Sequence, residues 1–149
     1  DNDPAQVVIS GHKEAVDRAI EIAKEMGARR AVLLPVSAPF HCALMAPAAE
    51  AMEQALADVT VNSPSVPLVA NVLASDVTDP AKIKALLVQQ VTGSVRWRES
   101  VVWMADQGVT EFWELGAGKA LTGMIRRIAK EAGTKPIGTP DEVAAAIAS

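Results

Sequence analysis

The sequence predicts an α/β fold in which a mainly parallel sheet is wound by helices. Three observations carry that expectation. Short apolar runs alternate along the chain with segments of helical periodicity. The runs at residues 31–36 and 66–73 are apolar almost without a break, the pattern of strands covered on both faces. Glycine, proline or a capping side chain marks most of the joints between the segments.

Taken in order, residues 6–10 read as a short strand closed by Gly11. Residues 12–26 carry Ala15, Val16, Ala19, Ile20, Ile22 and Ala23 at helical spacing, and Gly27 stops the helix. A strand at 31–36 follows. A helix is expected from about 44 to 59, with Pro47 in its first turn and an inward stripe of Ala48, Ala51, Met52, Ala55 and Leu56. Residues 62–65 are a loop, 66–73 a strand and 75–80 a polar turn. Asp79 and Pro80 then open a helix to about residue 90, as N-cap and first helical residue. Residues 95–107 form the next helix, with Val101, Val102 and Met104 inward and Gly108 as its cap. Residues 110–115 form a strand, Gly116-Ala117-Gly118 a tight turn and 120–132 a helix. Thr139 caps a last helix over 140–148.

Half of the 149 residues are hydrophobic, enough for a sizeable core. The formal net charge of −4 speaks against a nucleic-acid binder, which needs a basic face. A single cysteine forms no internal disulfide and suits a reducing compartment, so the cytoplasm is the expected location. No apolar run is long enough to span a bilayer. Two histidines and one cysteine offer no metal-ligand spacing, and no metal is expected.

His41 is the leading candidate for chemistry. It stands between a strand end braced by Pro35 and Pro39 and the start of a helix, where α/β proteins place reactive side chains. Imidazole serves there as base and acid near neutral pH. His12, among Lys13, Glu14 and Asp17, reads as a solvated surface residue. Cys42 is read as a small packing residue, because adjacent side chains at a helix start diverge. Gly116-Ala117-Gly118 lacks the third glycine of a dinucleotide fingerprint, since Leu121 stands in its place, and reads as a structural turn. Arg29 and Arg30 are either solvated or the contact for an anionic ligand or acidic partner. Asn71 and Gln90 end apolar elements, where each can hold a catalytic group or simply cap a helix. Trp97, Trp103 and Trp113 are expected in the core.

Four blocks carry a resemblance: residues 6–12 (QVVISGH), 35–45 (PVSAPFHCALM), 95–97 (VRW) and 114–121 (ELGAGKAL). In this order and spacing they resemble malonyl-CoA:acyl carrier protein transacylases of type II fatty acid synthesis. The resemblance implies an α/β-hydrolase-like core, residues 36–149, and part of a small ferredoxin-like subdomain, residues 1–35. It implies transfer of malonyl from coenzyme A to the phosphopantetheine thiol of acyl carrier protein through a seryl ester, with His41 as the base and no cofactor besides the thioester substrate. It places Gln90 where the family's histidine-orienting glutamine lies. Arg29 and Arg30 fall where coenzyme A or the acidic carrier is contacted. Asn2 and Gln6 fall in the family's Asn-x-Pro-x-Gln segment near the cleft. Phe40, just before the histidine, leaves little room for an α-methyl branch and so fits malonyl.

The chain also departs from the family. It contains no G-x-S-x-G elbow, no following arginine for the malonyl carboxylate and no oxyanion segment. The expectation is therefore the C-terminal half of the enzyme, inactive alone and needing an N-terminal half to bury its sheet. Two other readings remain at this level: a non-catalytic fragment that docks acyl carrier protein, and part of an α/β hydrolase.

Overall fold

The computed structural model describes residues 1–148. The elements run α1 (Lys13–Glu25), a 3-10 turn (Ala43–Met45), α2 (Ala46–Ala57), β1 (Leu68–Ala70), β2 (Ser75–Val77), α3 (Pro80–Thr92), α4 (Trp97–Asp106), β3 (Glu111–Leu115), α5 (Ala120–Ile128), β4 (Gly133–Ile137) and α6 (Pro140–Ile147). The chain forms two compact units. The first gathers Asp1–Val7, Val69–Asp76 and everything from Arg96 onward; the second gathers Val8–Leu68 and Val77–Val95.

In the first unit β3, α5 and β4 make a strand–helix–strand crossover. The two strands run parallel in a register that pairs Glu111 with Gly133 and Leu115 with Ile137. Val101 of α4, Phe112 of β3 and Ile125 of α5 meet as the core, with Trp97, Met104, Ile128, Ala129 and Ala132 packed around them. Full burial of side chains of this size contributes about 1.5–3 kcal/mol each. Glu114 ties the crossover together. Its two carboxylate oxygens accept the N–H groups of Leu121 (3.0 Å) and Thr122 (2.7 Å), open donors in the first turn of α5. The neighbouring Thr122 hydroxyl foremost, and then these two backbone bonds, hold the Glu114 carboxyl below the usual carboxylate range.

Near the start of the chain Asp3 is buried. It accepts the Ala5 N–H at 2.8 Å and the Arg127 guanidinium at 2.6 Å, while its backbone pairs with Gln6. The bond from Arg127 keeps its carboxyl below the ordinary range.

The second unit holds α1, α2 and α3, with α2 packed on α3. Its helix ends follow local chemistry. The Ala28 N–H reaches the Ala23 carbonyl and the Gly27 N–H the Lys24 carbonyl, a Schellman closure that needs the left-handed φ of +89° at Gly27. Asp79 Oδ1 accepts from Ala81 and caps α3 as expected.

Several expectations fail, each for a physical reason. Residues 7–10 and 31–36 join no ladder. An apolar run encodes extended backbone, but a strand also needs a neighbour's N–H and C=O groups, and among the described residues none is offered to them. Val32, Leu33, Leu34 and Val36 are consequently 53%, 57%, 46% and 60% exposed. The 66–73 run contributes only β1, and the polar turn after it contains β2. β4 went unforeseen, because Gly133-Thr134-Lys135-Pro136-Ile137 lacks a strand's apolar pattern; paired with β3, it tolerates the proline that an inner strand excludes. The α2 stripe is not buried, and Met52 is 40% exposed. Val102 points outward, one 100° helical step from buried Val101. Trp113 lies on the open face of β3 opposite Phe112, with its ring under the Lys135 ammonium at 4.8 Å.

Candidate active site

His41 lies at the foot of the 3-10 turn that leads into α2. Its backbone is left-handed, φ 60°, one of two non-glycine residues so placed among those described. That conformation costs about 1–3 kcal/mol and is retained where the surroundings fix a side chain. The imidazole is exposed and its Nδ1 lies 2.9 Å from the backbone carbonyl oxygen of Gln90, at the end of α3. A carbonyl can only accept, so Nδ1 carries the proton, and in the neutral ring the lone pair is then on Nε2. A general base needs that tautomer. The carbonyl occupies the place that a carboxylate holds in a serine protease triad.

Gln90 is therefore at the site, but with its backbone. Its side-chain amide turns away and donates to the carbonyls of Gly93 (3.0 Å) and Ser94 (3.4 Å).

Phe40, next to the histidine, is 46% exposed. The Cys42 thiol donates to the Pro39 carbonyl at 3.1 Å and braces the same turn, as a packing role requires. Arg29 and Arg30 are exposed, past the end of α1 in the same unit. Asn2 and Gln6 belong to the first unit, where the Asn2 N–H bonds the Gln6 carbonyl at 3.2 Å. The structure thus brings together His41 with Gln90, and Asn2 with Gln6.

The Gly116-Ala117-Gly118 turn is structural. The amides at the start of α5, which a phosphate would need, are taken by Glu114. The chain also passes so close that a Cβ at Gly138 would sit 2.6 Å from the Gly116 carbonyl oxygen. The carboxylate supports of this framework, Glu114 and Asp3, were not singled out from sequence. A glutamate on the strand before a glycine turn signals the first; Asp3 finds Arg127 only through the fold.

The profile of the acyl transferase domain matches residues 1–144. The chain belongs to the acyl transferase domain family. It is 47% identical over 146 residues to the malonyl CoA-acyl carrier protein transacylase of Escherichia coli (strain K12), covering 98% of this chain and 47% of that protein. Among solved structures it resembles the acyl-carrier-protein-S-malonyltransferase of Bartonella henselae, with a TM-score of 0.87 and 53% identity over 93% of this chain and 44% of the other. It also resembles a malonyl-transacylase solved in complex with its type II PKS acyl-carrier protein, with a TM-score of 0.85, 37% identity and coverage of 93% and 45%. The chain spans about half the length of the relatives it matches, and its fold is that part of theirs. No helix among the described residues is long and apolar enough to cross a membrane.

Proposed function

We propose that this chain is the base-bearing C-terminal half of a malonyl-CoA:acyl carrier protein transacylase, residues 1–35 belonging to the small ferredoxin-like subdomain and 36–149 to the core. The observation that carries the proposal is the His41 ring, held by the Gln90 carbonyl with Nε2 free.

In this scheme a serine hydroxyl from the other half attacks the malonyl thioester. Nε2 of His41 takes the hydroxyl proton, the C–S bond breaks, and the proton leaves on the coenzyme A thiol. The phosphopantetheine thiol of the carrier then gives its proton to the same nitrogen and attacks the seryl ester. The serine oxygen recovers the proton as malonyl leaves on sulfur. Arg29 and Arg30 face the coenzyme or the acidic carrier, Phe40 narrows the acyl site, and Asn2 and Gln6 line the cleft. The N-terminal half covers the exposed runs at 7–10 and 31–36, and the 149-residue chain by itself transfers nothing. The E. coli relative and the carrier-bound neighbour support this reading by their names.

The test is malonyl transfer to carrier protein by the complete protein and by its His41→Ala variant. Loss of general-base catalysis lowers the rate by about 10²–10⁴-fold. Full activity in the variant, or transfer by the isolated chain, overturns the proposal.

A further inference from the structure

The base depends on one carbonyl, and that carbonyl is free only because of how α3 ends. The last backbone bond of the helix is Gly93 N–H to Gln89 O at 2.8 Å, and the chain leaves through Gly93 with φ −86° and ψ 151°. Helices α1 and α4 end differently. At Gly27 and Gly108 the glycine turns left-handed, its N–H bonds the carbonyl three residues back, and the next N–H reaches five back. Gly93 has the same freedom, having no Cβ. If it took that path, its N–H would move from Gln89 to the Gln90 carbonyl, the one His41 uses.

The Gln90 side chain stands against that change. Its amide donates to the Gly93 and Ser94 carbonyls, and so bonds to the chain as it leaves in the extended form. One residue therefore closes the exit with its side chain and orients the base with its backbone.

We propose that the Gln90 side chain is a positioning device for His41. It keeps Gly93 extended, and so keeps the Gln90 carbonyl open to Nδ1. Removing the amide lets Gly93 close the helix in the left-handed manner, and the Gly93 N–H then competes with the imidazole for the carbonyl. This rests on His41 being the base, but the test reads the ring itself.

The experiment uses the complete protein labelled with ¹⁵N-histidine, with the His41 signals assigned by their loss in His41→Ala. Spectra are recorded at about pH 9, where an ordinary imidazole is neutral. The unsubstituted protein shows the Nδ1–H tautomer. Gln90→Met, similar in length but without donors, lowers the Nδ1–H to Nε2–H ratio about fivefold, the change one ordinary hydrogen bond carries. It lowers kcat for malonyl transfer about as much, with KM for malonyl-CoA unchanged. The double variant Gln90→Met/Gly93→Ala restores both, because alanine resists the left-handed exit yet accepts φ −86°. A merely structural glutamine would not be rescued this way.

An unchanged tautomer ratio in Gln90→Met overturns the proposal, and so does a double variant no better than the single one. If Gln90→Met fails to fold, recovery of fold and tautomer by Gly93→Ala supports it and no recovery overturns it. An inactive protein with the expected tautomer pattern counts against the transacylase reading only.

Discussion

Replacing Asp3 with alanine removes the best-buried charge among the described residues. Its side chain is wholly enclosed, while that of its partner Arg127 is half exposed. The Ala5 N–H bond to the carboxylate is charge-assisted, and is worth about 1.5–2 kcal/mol. The Arg127 bond is screened by solvent on one side and adds little to this. The expected loss is thus about 2 kcal/mol at pH 7, read by urea unfolding of the complete protein. Asp3→Asn keeps an acceptor for Ala5 and loses about 1 kcal/mol. The pH dependence follows from the lowered Asp3 carboxyl. A depressed carboxylate stabilises the fold above its unfolded pKa, near 4, and that stability is lost as pH falls through the folded value. The gap between the original protein and Asp3→Ala is therefore full at pH 6–7 and narrows toward pH 3. A gap below about 0.5 kcal/mol, the range of ordinary surface changes, or one that does not move with pH, refutes the reasoning.

Other outcomes follow from the same geometry. Glu114→Ala frees the first-turn amides of α5; hydrogen exchange at Leu121 and Thr122 should accelerate, and acidification through the lowered range of this carboxyl should produce a similar loss of protection in the original protein. Thr139→Ala breaks the reciprocal cap with Glu142 and should cost about 1 kcal/mol in urea unfolding. Reversing Arg29 and Arg30 to glutamate should raise KM for the carrier protein severalfold at low salt, with the difference shrinking as salt rises; an unchanged KM removes them from docking.

What was legible in the sequence was local. Gly27, Asp79-Pro80 and Thr139-Pro140 set helix ends through bonds within a few residues, and the structure shows each of those ends. His41 was legible because two prolines and a helix start bracket it. Strands were harder, because half of a strand's definition lies in another segment. The runs at 7–10 and 31–36 have the composition without the partner, whereas β4 has the partner without the composition. At the site, the family resemblance led to Gln90 but not to which of its groups faces the His41 ring, since a backbone carbonyl has no residue type. The Asp3–Arg127 pair spans 124 positions, and no periodicity connects them.

The bare segment 31–36 has one further consequence, for the colloidal behaviour of the protein. Ala-Val-Leu-Leu-Pro-Val, which joins no ladder, is close to the kind of short apolar window that stacks between copies of a chain. Two features oppose that. Pro35 interrupts the run and removes one donor, and Arg29-Arg30 place two positive charges immediately before it, as gatekeepers do. Neutralising both arginines strips this protection and invites self-association during synthesis or storage. Reversing their sign retains the repulsion, which makes glutamate rather than alanine the substitution that keeps the protein in solution while its docking is measured.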